Sequence, residues 1–321
     1  MLLVQVTNQL KKIKLNNMDK KQKSLKLATV ALLLGVSAMI LSCSKNEDAI
    51  SGAESQVVNN ESTQDAQQDE VDDMSTNALG NMDSPTGGKV EAPFFFNDHR
   101  LSCAIITRDT AAFKTRGSGK ITIDFGSGCT DKHGNVRAGK IIITWSGGRW
   151  FMPGAVYIIT FSGYSINDVK FSDNDIRTVT NVSTMDSSLT FTIVASHLLT
   201  WPDNTTATRE VHKTKQWVRS SNIVDDKIIV SQTSPTTPAA NGINRRGISY
   251  SVEITVPLEY LRSCAISNKV FKPVKGVKVI TYDNGKVVTI DFGDGTCDKT
   301  YTISINGRTK TMDAKNDSSA D

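Results

Sequence analysis

Histidine and tryptophan are scarce in this chain of 321 residues, at four each, and the scarcity limits what chemistry it can do. His99, His133, His197 and His212 show no spacing that would hold a metal ion. There is no Gly-x-Ser-x-Gly string to raise a nucleophile on a sharp turn. Gly117-Ser118-Gly119-Lys120 lacks the upstream glycine of a phosphate-binding loop. The chain therefore reads as no enzyme, with no cofactor and no metal. Trp145, Trp150, Trp201 and Trp217 are few for a sugar platform, but paired carboxylates leave no spacing rule in sequence, so glycan hydrolysis stays as a third reading. No stretch after residue 42 repeats apolar residues at helical spacing, which excludes a parallel sheet with its crossover helices. No apolar run reaches the ~20 residues of a membrane-spanning helix.

What is present begins with an export signal over residues 1–42. Lys20, Lys21, Lys23 and Lys26 precede an apolar run from Leu27 to Leu41, followed by Ser42 and Cys43. Ile40-Leu41-Ser42-Cys43 resembles the bacterial lipobox, which implies that Cys43 is diacylated and becomes the N-terminus. At ~0.8 kcal/mol per buried methylene, several acyl chains would hold the protein to a bilayer without a spanning helix. Residues 44–91 carry eleven acidic side chains against two lysines and few apolar ones. Such a composition does not offset the entropy of ordering, so 43–91 is expected to be a flexible acidic tether. Residues 92–321 hold 28 basic and 21 acidic residues, a balance that suits an anionic partner. An exported protein rarely meets nucleic acid, which is not expected as a partner.

Residues 92–321 are expected to form an all-β, antiparallel domain, either a meander or sandwich or an open curved sheet. Tyr250, Val252, Ile254 and Val256 alternate with Ser251, Glu253 and Thr255, and Leu189, Phe191 and Ile193 do the same with Thr190 and Thr192. Asn284-Gly285 and Asn306-Gly307 read as type I′ hairpin turns with positive φ at both central residues. The Ser/Thr/Pro/Asn-rich stretch 231–247 reads as a long loop or an internal boundary.

An internal repeat organises the cysteines. Ser102-Cys103-Ala104-Ile105 leads to TIDFG at 122–126 and Cys129, and Ser263-Cys264-Ala265-Ile266 leads to TIDFG at 289–293 and Cys297. Four cysteines allow three connectivities. Pairing within each copy, Cys103 with Cys129 and Cys264 with Cys297, leaves both repeats complete and is the expected one. Asp124, Asp131, Asp291, Asp294 and Asp298 either cap glycine-rich turns or line a calcium loop, and the first fits better because neither copy has a full calcium spacing.

The signal, the acidic stretch, ITIDFGSGCTDKHGNVRAGKI, SGGRW, YIITFSGYSIND, LLTWPDNTTATREVHKTKQWV and TIDFGDGTCDKTYTISINGRT together resemble a group of uncharacterised outer-membrane lipoproteins of the Bacteroidota. That resemblance implies a lipid-anchored protein at the outer membrane, and Glu47-Asp48 resembles the short charged signals that send such lipoproteins to the cell exterior. The expected role is a surface binding or structural module whose partners are the membrane, through its lipid, and a polysaccharide or protein ligand. The alternative is a carrier or chaperone of a lipidic ligand in an open sheet. The expected ligand face is a polar hairpin projecting into solvent, with Arg209, Lys213 and Lys215 beside Trp201 and Trp217.

Overall fold

The computed structural model describes Ile50 and residues 52–80, 99–108, 117–131, 134–184, 188–268, 270 and 272–313. The signal 1–42, Cys43 and, of the expected tether, residues 44–49, 51 and 81–91 lie outside the described residues. The unit from Ile50 to Asp321 holds one long helix and one antiparallel sheet. The helix is α1 (Gly52–Gly80). The strands are β1 (Ile105–Arg108), β2 (Ser118–Asp124), β3 (Cys129–Thr130), β4 (Val136–Ser146), β5 (Val156–Ile166), β6 (Val169–Phe171), β7 (Ile176–Asn181) and β8 (Ser188–Thr200). They continue as β9 (Thr206–Val218), β10 (Lys227–Gln232), β11 (Ala240–Ile243), β12 (Ser249–Leu261), β13 (Lys275–Tyr282), β14 (Val287–Asp294), β15 (Thr300–Ile305) and β16 (Arg308–Asp313).

The sheet runs in chain order from β1 to β16, with β3, β7 and β11 set beside the main path, so the fold is an all-β meander. Between β5 and β8 the ladder is shared by β6 and β7, and between β9 and β12 by β10 and β11. The stretch 231–247 is thus a loop and a short strand inside one continuous sheet. Period-two alternation placed the strands because one face is dry: in β8, Leu189, Phe191, Ile193, Ala195 and Leu199 are buried while Val194, Ser196 and Leu198 are exposed.

The sheet curls around α1. Arg137 in β4 and Lys278 in β13 both reach the helix, although β4 and β13 stand seven steps apart in the strand order. Flat, those strands would be ~34 Å apart, and a helix with its side chains is only ~10–12 Å wide. Bulges supply the bending. At Gly139 (φ 75°), between the shifted pairs of Ala138 and Lys140, a Cβ would lie 2.2 Å from the Gly163 carbonyl oxygen, so only glycine fits.

The flexible tether is corrected at this point: residues 52–80 are helical, and no described side chain from Gln64 to Leu79 is exposed. Polarity misled because the acids of this segment have buried partners, described below. Eight residues, 44–51, separate Cys43 from the helix.

The two repeat copies lie toward opposite edges of the sheet, as β1-β2-β4 and β13-β14-β15. Cys103 bonds Cys129 and Cys264 bonds Cys297, with Cα separations of 5.9 and 5.0 Å. The SCAI strings differ locally, since Cys103 sits in a turn and Cys264 in a short helix, Arg262–Asn268. The repeat aspartates act in turns: Asp124 accepts from the Gly126 amide at 2.8 Å, Asp291 from Gly293 at 2.9 Å, and Asp294 from Thr296 at 3.1 Å. Asn306-Gly307 has positive φ at both residues. Asn284-Gly285 does not: only Gly285 is left-handed, in a three-residue loop closed by Tyr282 and Lys286.

Each bridge closes a loop of some thirty residues, spanning 26 and 33 positions. Replacing either pair by serines should lower stability by about 3–4 kcal/mol through loop-closure entropy. A denaturant midpoint that falls with little change in slope would show this, and an unmoved midpoint would contradict it.

Candidate ligand site

In the interior between sheet and helix, cations and aromatic rings converge on an apolar wall. The wall comes from Ile121, Ile141, Ile159, Phe161, Phe191, Ile193, Val252 and Ile290, all buried in a single cluster with Val71, Met74 and Ala78 of α1. Cations break into it on the apolar parity of their strands. Arg177 shares its face with Val179, Arg209 with Val211, and Lys278 with Ile280.

Each cation meets a carboxylate of α1. Arg177 donates two bonds, from Nε and Nη2, to Asp72. Arg137 donates to Glu70 and to Asp131, which also accepts from the Asn135 amide at 2.9 Å and so ties the helix to the loop after β3. Arg209 and Lys278 both pair with Asp65, and Lys213 lies 3.4 Å from the same carboxylate. Lys215 donates to Asp73 at 3.1 Å, and the Tyr260 hydroxyl to Asp69 at 3.3 Å. Asp65, Asp69, Asp72 and Asp73 fall at i, i+4, i+7 and i+8, one side of a helix.

The electrostatics follow from dryness. Burial alone would raise the Asp65 carboxyl, but Arg209, Lys213 and Lys278 together hold it well below the usual carboxylate range. Asp69 goes the other way: its burial dominates, Asp65 and Asp72 repel its charge, and its carboxyl is pushed up. Burial works against the Arg177 and Arg137 charges, yet Asp72 and Glu70 keep both guanidinium groups more firmly protonated than in water. His197, buried 3.5 Å from Asp175, has its imidazole pushed down by burial and stays neutral.

The helix also brings polar groups that find no use. Gln64 and Gln68 bury both ends of their amides, and Gln67 and Ser75 an oxygen each, without a hydrogen-bond partner among the described residues. Such groups cost ~1–3 kcal/mol each. On the sheet side, Arg137 Nε and Arg177 Nη1 are buried donors in the same position.

The sequence-derived ligand residues are brought together only in part, and not on a hairpin in solvent. Arg209 and Lys213 are buried against Asp65, and Lys215 is half-buried against Asp73. Trp217 is buried, its indole N–H donating to Asp226 at 3.1 Å. Trp201 lies apart, at the turn after β8, with the Arg245 guanidinium 4.4 Å above its ring. The ribbon is polar because it faces an acidic helix rather than water. Sequence reasoning missed Arg137, Arg177, Lys278 and Tyr260, and the available signal was a charge sitting on the apolar parity of a strand.

No group of three or more His, Cys, Asp or Glu suited to a metal ion occurs among the described residues. Compared with models of protein families, with curated proteins and with solved structures, the chain finds no match.

Proposed function

We propose that this is an exported lipoprotein, held at the outer membrane by acyl chains on Cys43 and facing the cell exterior, that works as a binding module rather than an enzyme. Its binding surface is the inner face of the curled sheet. The observation that carries this reading is the set of buried cations, Arg137, Arg177, Arg209, Lys213 and Lys278, set in an otherwise apolar wall and neutralised by acids. A face of that kind suits an anion with apolar bulk, which favours the carrier of a lipidic ligand over a polysaccharide or protein held on an open polar surface.

The anchoring half of this reading is tested by Cys43→Ala. The variant should leave the membrane fraction entirely and lose incorporation of labelled fatty acid. A variant that still pellets with outer membranes after a high-salt wash would refute the lipid anchor.

A further inference from the structure

We propose that the outer face of β5, β7, β8 and β9 is an interface between two copies of this chain, joined face to face about a two-fold axis. The inference concerns the outer side of the sheet and is independent of the inner-face reading above.

Its basis is a gap in the charge distribution. Every second residue over 156–162, 176–180, 188–200 and 206–218 points away from the buried side, which makes twenty-one outward positions. Nine are threonine, none is lysine or arginine, and only Glu210 is an acid. The chain's own 22% share of charged residues would place four or five there. The strands themselves are not poor in charge, since Arg177, Arg209, Lys213 and Lys215 lie on their inner side. Nor is the outer side neutral elsewhere: β2 and β4 show Lys120 and Lys140 to water, and β12 and β14 show Glu253 and Asp291.

The register makes these positions one continuous field. Thr180, Thr192 and Thr214 stand opposite one another across β7, β8 and β9, and Ile158, Thr178, Val194 and His212 form the adjoining row. Within the field Ile158, Ile176, Val194 and Leu198 are 37%, 51%, 48% and 39% exposed.

What the field lacks selects its partner. It lies on the convex side of a curled sheet, so it offers no cleft to a small molecule. It holds no Trp, Tyr or Phe for a sugar ring to stack on, and no cation for a lipid head group. A second copy meets the case, because a two-fold interface sets the same patch against itself. Any surplus of one charge would then face its like, so a self-facing patch has to be nearly free of charge, as interface cores are. Methyl groups of Thr, Ile and Val can interdigitate between two sheets aligned within about 30° of each other. The four strands cover ~19 Å across and, over the 13 residues of β8 and of β9, ~40 Å along. That area is close to the ~800 Å² that each partner brings to a standard interface. The curl bends the face across its strands, so the two copies meet lengthwise, with β7 and β8 at the centre.

The mature chain carrying Cys43→Ala, so that acyl chains cannot drive association, is followed by sedimentation equilibrium and native mass spectrometry at tens of micromolar protein. The expected species is a dimer. Val194→Lys places a like charge from each copy at the centre of the face, on a side chain already half in water. The fold should persist by circular dichroism while the dimer Kd rises at least ten-fold. Val287→Lys, the same change at an exposed position of β14, should leave the dimer intact. A monomeric wild-type chain overturns the proposal. A dimer that ignores Val194→Lys, or yields equally to Val287→Lys, overturns the placement of the interface. A monomer that is retained by a neutral glucan, and released by Val194→Lys, overturns self-pairing and gives the face to a glycan.

Discussion

Replacing Arg177 by Met should destabilise the protein by about 3–5 kcal/mol, because it leaves the Asp72 carboxylate buried without its only bidentate partner. Arg177 and Asp72 are 1% and 4% exposed, so water cannot take over. Restoring neutrality with Asp72→Met in the same chain should return most of the loss, since well-packed apolar pairs replace buried ion pairs at little net cost. A thermal or denaturant double-mutant cycle measures the coupling directly. If residues 52–80 were a solvated tether, Arg177→Met would cost little and the cycle would show no coupling.

Asp65→Ala should have an even larger effect, concentrated in α1. It removes the carboxylate that Arg209, Lys213 and Lys278 share. The helix should undock, seen as fast amide exchange and cleavage by an Asp-specific protease within 52–80. The pH dependence follows from the depressed carboxyl of Asp65. A group whose folded value lies below its unfolded one, ~3.9 for aspartate, contributes stability that is complete above that value and disappears as pH falls through the folded one. The wild-type protein should thus keep this contribution down to about pH 4 and lose it below. The Asp65→Ala variant should show a flatter stability curve over that acid range, and an unaltered curve would rule out the proposed role of the pair. Asp69 opposes the trend, since its raised carboxyl favours the folded state only at low pH.

The contrast between sheet and helix shows what a sequence reveals about a fold. Strands such as β8 and β12 were legible because each buries one side chain in two against apolar neighbours and shows the other to water. The disulfides were legible through repetition. α1 was not, because hydropathy measures preference for oil over water and this helix is buried largely among charges. Its apolar residues are few, though Val71, Met74 and Ala78 do fall at i, i+3 and i+7, and its acids share another face. A charge pattern with helical spacing in one segment, matched by cations on the apolar parity of distant strands, was the readable sign. The same oversight turned β9 into a solvent ribbon. Its alternation was read correctly, but both of its faces looked polar as long as the acidic partner was absent.

Order of assembly follows from the sequence separations across the helix contacts. Glu70 meets Arg137 over 67 residues, Asp72 meets Arg177 over 105, and Asp65 meets Lys278 over 213. The helix precedes the sheet in the chain, yet its last partner arrives with β13. On its own it is an acidic segment with little apolar stripe, and isolated helices of that kind are marginal in water. The neighbouring strands need only short turns to pair, so they can form early and locally, whereas helix contacts require closure of very long loops. The sheet must therefore spend part of every folding event with its inner face open, and the N-terminal helix is the piece that closes it.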